Sequence, residues 1–209
     1  MGFDYLQRAV ENISGTSLTQ LVEAEVFAPL GMTNSSFGWR DSFAALRAEA
    51  YDARGNAGVT FNEKYRTAPE SWRSAVMRSY PELNYPNAAA GMYTTAGDYG
   101  RFLSALLSPG QVPAWLKQET ILEVFQPEIA AGNGVSWGLG WGLFESDNGP
   151  AFWHWGNWNG LFQHLAIGIS NAGRGVVVLT NSGNGLSLCQ RLVPELLGIG
   201  LKPIRDFLR

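Results

Sequence analysis

The chain has 209 residues, enough for one domain or one and a half at ~150 residues per domain. Charged residues make up only 16%, against an average near ~25%, while there are 25 glycines and 8 tryptophans. A disordered chain or a long charged coiled coil is excluded by that balance. With a net charge of −3 and no Lys/Arg run, the footprint of a nucleic-acid binder is missing, and no apolar run approaches the ~18 residues of a membrane span. The one cysteine, Cys189, cannot form an internal disulfide, and with two histidines it falls short of a zinc site.

Met1 to Tyr5 has neither a basic nor an apolar leader region, so no signal peptide is expected. Phe3, Leu6, Val10 and Ile13 recur at helical spacing, with Gly15 placed to end the helix. Ser17 and Gln20 read as a capping box for a second helix, Leu18 to Phe27, stopped by Pro29-Leu-Gly31. Residues 38–90 read as loops and short elements with one short helix at 41–50. A clearer helix spans 96–107, capped by Thr95, with Asp98 at its positive end and Phe102, Leu103, Leu106 and Leu107 as its apolar stripe. Asp98 and Arg101 read as helix-terminus and surface residues. Pro109-Gly110 ends this helix, and a shorter one is expected at 117–126.

From residue 137 the period changes. Trp137, Leu139, Trp141 and Leu143 alternate as in a strand, and Phe152 to Trp155 is a second strand. Asn159-Gly160 signals a hairpin into a strand from Leu161 to Ile169, followed by the turn Ser170–Gly173 and the strand Val176–Thr180. A last helix is expected at 185–197, with Phe207-Leu208 docking the tail. The fold class is therefore α+β: residues 1–130 mostly helices and loops, residues 131–209 antiparallel strands and a C-terminal helix.

Four segments, in order, resemble one family. They are Val26-Phe-Ala-Pro-Leu-Gly-Met-Thr-Asn-Ser-Ser-Phe37, Ala90-Gly-Met-Tyr-Thr-Thr-Ala-Gly-Asp-Tyr-Gly-Arg-Phe102, Trp137-Gly-Leu-Gly-Trp141, and His154-Trp-Gly156 with Asn159-Gly160 and Val177-Val-Leu-Thr-Asn181. Together they resemble the serine β-lactamase-related family, which holds class C β-lactamases, D-alanyl-D-alanine carboxypeptidases and esterases. The resemblance implies the β-lactamase/transpeptidase-like fold, an antiparallel sheet flanked by helices, and acyl transfer to a serine followed by hydrolysis of an ester or amide.

The family's chemistry needs a Ser-x-x-Lys, a Tyr-x-Asn and a Lys-Thr-Gly or His-x-Gly strand. Only the third is in place. Lys64, Lys117 and Lys202 are preceded at the third position by Phe61, Ala114 and Ile199, and no Gly-x-Ser-x-Gly elbow occurs. Tyr85-Pro-Asn87 spells the second motif but stands out of order, and reads as a Pro-containing turn. The chain is thus expected to be the C-terminal portion of a single incomplete domain, 1–209, without turnover by itself.

By resemblance, His154 and Gly156 border the substrate, and the backbone N–H of Asn157 is one of two oxyanion donors. His154 hydrogen-bonds the substrate or the missing tyrosine, and as a weaker cation than lysine it tilts the family activity toward esters or peptides without a strong carboxylate anchor. Trp155, Trp158 and Gly91 are candidate substrate contacts; Gly91 also reads as a tight backbone position. His164 reads as structural. No cofactor or metal is expected; the partner is a small-molecule ester, amide or peptide. Family members are commonly exported, so a periplasmic or secreted parent is implied. Val176–Thr180 would present an open edge suited to self-association. The alternative reading is a non-catalytic binding module using the tryptophan-rich strands.

Overall fold

The computed structural model describes residues 2–58, 87–108 and 117–208. Helix α1 spans Gly2–Ser14 and ends at Gly15, whose φ of +65° is the left-handed cap that glycine adopts most easily. Helix α2, Leu18–Val22, runs on as a π-helical turn, Glu23–Phe27, so the expected single helix is wound in two pitches. Its start is held as expected: the Ser17 hydroxyl accepts from the Gln20 N–H at 3.3 Å. Glu11 of α1 adds a second cap, accepting from the Leu18 N–H at 2.7 Å.

The stripe read on α1 is not buried. Phe3, Leu6 and Ile13 are 40%, 56% and 86% exposed, and the one buried residue of the helix is Gln7. Gln7 faces the chain, where its Oε1 accepts from the Ala88 N–H at 2.9 Å. Polar tethers set the orientation of this helix, and the described elements leave most of its apolar stripe exposed. The helix expected at 41–50 is only a 3-10 turn, Asp41–Phe43. Beyond it, Ala50–Tyr51 (β1) and Ala57–Gly58 (β2) form a small hairpin.

Helix α3, Ala96–Leu107, starts at Thr95, whose side chain accepts from the Asp98 N–H. Asp98 is not a surface residue: it is 1% exposed. Its carboxylate accepts from the Asn34 N–H (2.7 Å), the Ser35 hydroxyl (2.9 Å) and Arg101 (2.8 Å), fastening the 33–36 loop to α3. A buried carboxylate needs such donors, because an unpaired one carries a large desolvation penalty. The Pro109-Gly110 stop lies outside the described residues. Helix α4 is Gln118–Val124.

Six strands form an antiparallel meander in the order β3 (Ile129–Gly132), β4 (Val135–Trp137), β5 (Gly142–Ser146), β6 (Gly149–Trp158), β7 (Phe162–Ile169) and β8 (Arg174–Thr180). The continuous strand read from Trp137 to Leu143 is instead two strands and a turn. Gly140 has φ +89°, and a Cβ on Gly138 would lie 2.6 Å from the Val124 carbonyl oxygen. These glycines serve the turn, so the alternation of tryptophan with glycine is not a strand period there. Asn159 (φ +50°) and Gly160 (φ +68°) make the expected hairpin.

Period-2 alternation gives the sheet two faces. One carries Trp153, Leu165, Ile167 and Ile169 and packs against helix α5, Gly185–Leu197, through Cys189, Val193 and Leu197. Helix α6, Lys202–Phe207, closes this side, with Phe207 against Trp137 and Trp153. The other face carries Phe152 and Ala166 under Leu103 and Leu106 of α3. At the sheet margin, β8 pairs with β7 alone along its length. Just beyond its end the chain meets β1: the Tyr51 N–H donates to the Asn181 carbonyl and the Gly183 N–H to the Tyr51 carbonyl, both at 2.9 Å.

Candidate active-site strand

His154 and Gly156 stand two residues apart on β6, on the face that α3 covers further along the strand. Strand β5 pairs with β6 only as far as Gly142 opposite Trp153. From His154 to Trp158, β6 is paired with β7 alone, so its other side is open to a ligand among the described residues. Backbone N–H and C=O groups of alternate residues face that open side. A substrate that lies along it meets a strand edge, beside the His154 side chain and the bare Gly156.

The His154 imidazole is boxed by aromatic rings. Phe3 of α1 lies 6.0 Å away, Trp137 5.8 Å and Trp141 6.2 Å, all near edge-to-face. Its Nδ1 is 2.9 Å from the Trp155 carbonyl oxygen. A carbonyl can only accept, so Nδ1 carries the proton and Nε2 presents its lone pair. Burial holds the imidazole pKa below the usual 6.5, with the Trp155 carbonyl opposing in part. At neutral pH, His154 is therefore an uncharged acceptor rather than a cation. Such a group can accept from a hydroxyl or amide proton and offers little to a carboxylate.

The other candidates separate in space. Asn157 is exposed, and its side chain accepts from the Gly160 N–H at 2.9 Å, fixing the hairpin that follows. Trp158 is half-buried at the end of β6, on the side of His154. Trp155 points to the opposite face and packs on the α5 core, so the sheet itself parts it from His154. Gly91 serves chain compaction: its N–H donates to the Asn87 carbonyl at 2.7 Å, and a Cβ there would collide with Asn87. Asn87 caps a turn through the Ala89 and Ala90 N–H groups; Tyr85 lies outside the described residues. Three aromatic neighbours of His154 are not among the site residues read from the sequence: Phe3, because the sequence shows no contact between α1 and β6, and Trp137 and Trp141, because strand spacing alone does not turn them toward His154.

An antiparallel sheet with helices on both faces and a His-x-Gly strand beside an open margin is the β-lactamase/transpeptidase-like arrangement. The sequence matches the family described as Beta-lactamase over residues 1–191, and the chain belongs to that family. It is 28% identical over 209 aligned positions to penicillin-binding protein 4 of Amycolatopsis lactamdurans, covering 94% of this chain and 50% of that protein. It is 29% identical over 198 positions to esterase EstB of Burkholderia gladioli, covering 87% of this chain and 48% of that one. The structure resembles a penicillin-binding protein from Bacillus halodurans with a TM-score of 0.70 at 20% identity, over 94% of this chain and 54% of that one. A β-lactamase/D-alanine carboxypeptidase from Pseudomonas syringae gives 0.70 at 15% identity, over 94% and 57%. The chain thus spans about half the length of the curated relatives it matches.

Proposed function

We propose that this chain is the substrate-side portion of a serine acyl-hydrolase that acts on an uncharged ester or amide through an acyl-enzyme. The reading rests on one observation above the others: His154 and Gly156 share a face beside the unpaired margin of β6. In the proposed reaction a serine attacks the acyl carbonyl, the leaving alcohol or amine departs with a proton, and water then releases the acid. The Asn157 N–H donates to the oxyanion; losing one such donor typically costs ~10²–10³ in rate. Gly156 lets the acyl group approach the backbone. His154, neutral and accepting through Nε2, orients a hydroxyl of the substrate or of the family's tyrosine. The nucleophile and its lysine are not among the motifs of the 209 residues, so these residues alone are expected not to turn over.

The test is a fluorophosphonate probe together with p-nitrophenyl butyrate and a chromogenic β-lactam. The 209-residue chain is expected to stay unlabelled and inactive. The protein as its source makes it is expected to be labelled on a serine of a Ser-x-x-Lys, and to hydrolyse the ester faster than the β-lactam. Hydrolysis by the 209-residue chain, abolished by His154→Ala, would overturn the inactive part of the reading. No labelling of the source protein would overturn the rest. Of the tryptophans that the binding-module alternative would use, Trp153 and Trp141 are 0% and 8% exposed and belong to the core, while Trp137, Trp155 and Trp158 are half-buried. The apolar edge of β8 supports self-association of this chain; a monodisperse 22.8 kDa species in light scattering would count against it.

A further inference from the structure

His164 lies on β7 directly opposite Gly156. Chain neighbours Trp155 and Asn157 aside, the described atoms within 4 Å of where a Gly156 Cβ would sit belong to His164: Cδ2 at 3.7 Å and Cβ at 3.9 Å. The imidazole therefore forms the wall of the space that Gly156 leaves open. Its protonation is set by the neighbouring strand. Nδ1 accepts from the Thr180 N–H of β8 at 3.1 Å, which places the ring proton on Nε2. A doubly protonated ring would lose that bond, so the neutral form is the one the sheet holds. His154 is fixed the other way, with its proton on Nδ1 and its lone pair on Nε2. Two neutral imidazoles thus share one face with complementary roles, an acceptor at 154 and a donor at 164, with the bare Gly156 opposite the second.

We propose that His164 is a substrate-binding residue, whose Nε2–H donates to an uncharged oxygen acceptor, the carbonyl or alkoxy oxygen of an ester, lying over Gly156. This deepens the acyl-hydrolase reading and rests on it. A donor that carries no charge recognises an ester or amide oxygen without favouring a carboxylate. The rival role for His164 is purely structural, to hold Thr180, and two substitutions separate the roles. In His164→Asn the side-chain oxygen can still accept from Thr180, but the donor at the reach of Nε2 is gone. In His164→Gln a donor at that reach is kept.

The experiment is long-range ¹H–¹⁵N spectroscopy of histidine-labelled 209-residue chain, titrated with ethyl butyrate and, separately, with sodium butyrate. The expected result is an Nε2–H tautomer for His164 and a saturable shift of its Nε2 with the ester exceeding that with the anion. Binding should weaken about fivefold in His164→Asn, the size of one neutral hydrogen bond, and should be retained in His164→Gln. Urea midpoints confirm that both variants fold. An Nδ1–H tautomer in the unsubstituted chain overturns the proposal without any variant. It is equally overturned by the absence of a saturable ester shift, by a larger response to butyrate, or by His164→Asn binding the ester as well as His164→Gln. Serine labelling of the source protein reads the hydrolase function independently, so the two can fail separately.

Discussion

On the α5 side of the sheet, Trp153, Ile167, Ile169 and Val193 are each 0% exposed, whereas on α1 Leu6 and Ile13 remain 56% and 86% exposed. Both regions are equally legible as apolar patterns. They differ in what the chain supplies to cover them. The α5 side is built from elements contiguous in sequence, β4 through α6, that fold back on one another through short turns. Helix α1 meets the rest through Gln7, Glu11 and Phe3. An amphipathic pattern therefore marks a face with the capacity to be buried, and a partner decides whether it is.

Trp153→Ala gives the largest expected break in this contrast. Emptying the closed side should cost about 3–5 kcal/mol in urea unfolding. A cost below about 1 kcal/mol would mean that this core is not the stabilising one. Next comes Asp98→Ala, which strands the Asn34 N–H, the Ser35 hydroxyl and Arg101 around a buried hole; about 2–3 kcal/mol is expected, from the charged hydrogen bonds lost. Two glycines on the same face sharpen the comparison further. A Cβ on Gly175 would lie 2.8 Å from both Leu103 and Leu107 of α3, so Gly175→Ala should cost about 1–3 kcal/mol by overpacking. Gly156→Ala meets only ordinary contact with His164 and should change stability by less than about 1 kcal/mol; on the acyl-hydrolase proposal it should also hinder acyl approach. Equal effects at the two sites would remove the distinction between packing and site glycines. Leu6→Ala on exposed α1 should stay within about 0.5 kcal/mol.

The smallest effect is a slope with pH. Burial holds both His154 and His164 below the usual 6.5, so the folded state binds fewer protons than the unfolded one in that range. Their contribution to stability is complete above about 6.5 and declines as pH falls from there through the folded values. The double variant His154→Gln/His164→Gln should show a flatter stability profile between about pH 6.5 and the onset of carboxylate titration. An unchanged slope would show that neither imidazole is desolvated.

Element type was largely legible where local chemistry is sufficient. The Thr95 and Ser17 caps, the Gly15 helix end and the Asn159-Gly160 hairpin depend on residues a few positions apart, and all are found. Glycine misled where it occurs in alternation: Trp137-Gly-Leu-Gly-Trp141 has a strand's period but packs as a turn against the end of α4. Asp98 was read as a surface group because a helix N-terminus suits an acid there. Its burial comes from Asn34 and Ser35, more than 60 residues earlier, and no local signal carries that.

The sequence by itself determined the α+β class, the order of the main helices and strands, the family, and the His154-x-Gly156 motif, because each is written in residue types or spacings along the chain. Tertiary structure decided which face each strand turns to which neighbour. A two-residue turn at Asn159-Gly160 would set Gln163 against Gly156; the observed pairing of Trp158 with Phe162 leaves three residues in the loop and sets His164 there instead. One residue of register moves every side chain of β7 to the other face. The same holds for the protons on the two imidazoles, which the Trp155 carbonyl and the Thr180 N–H assign through contacts that exist only once the sheet has formed.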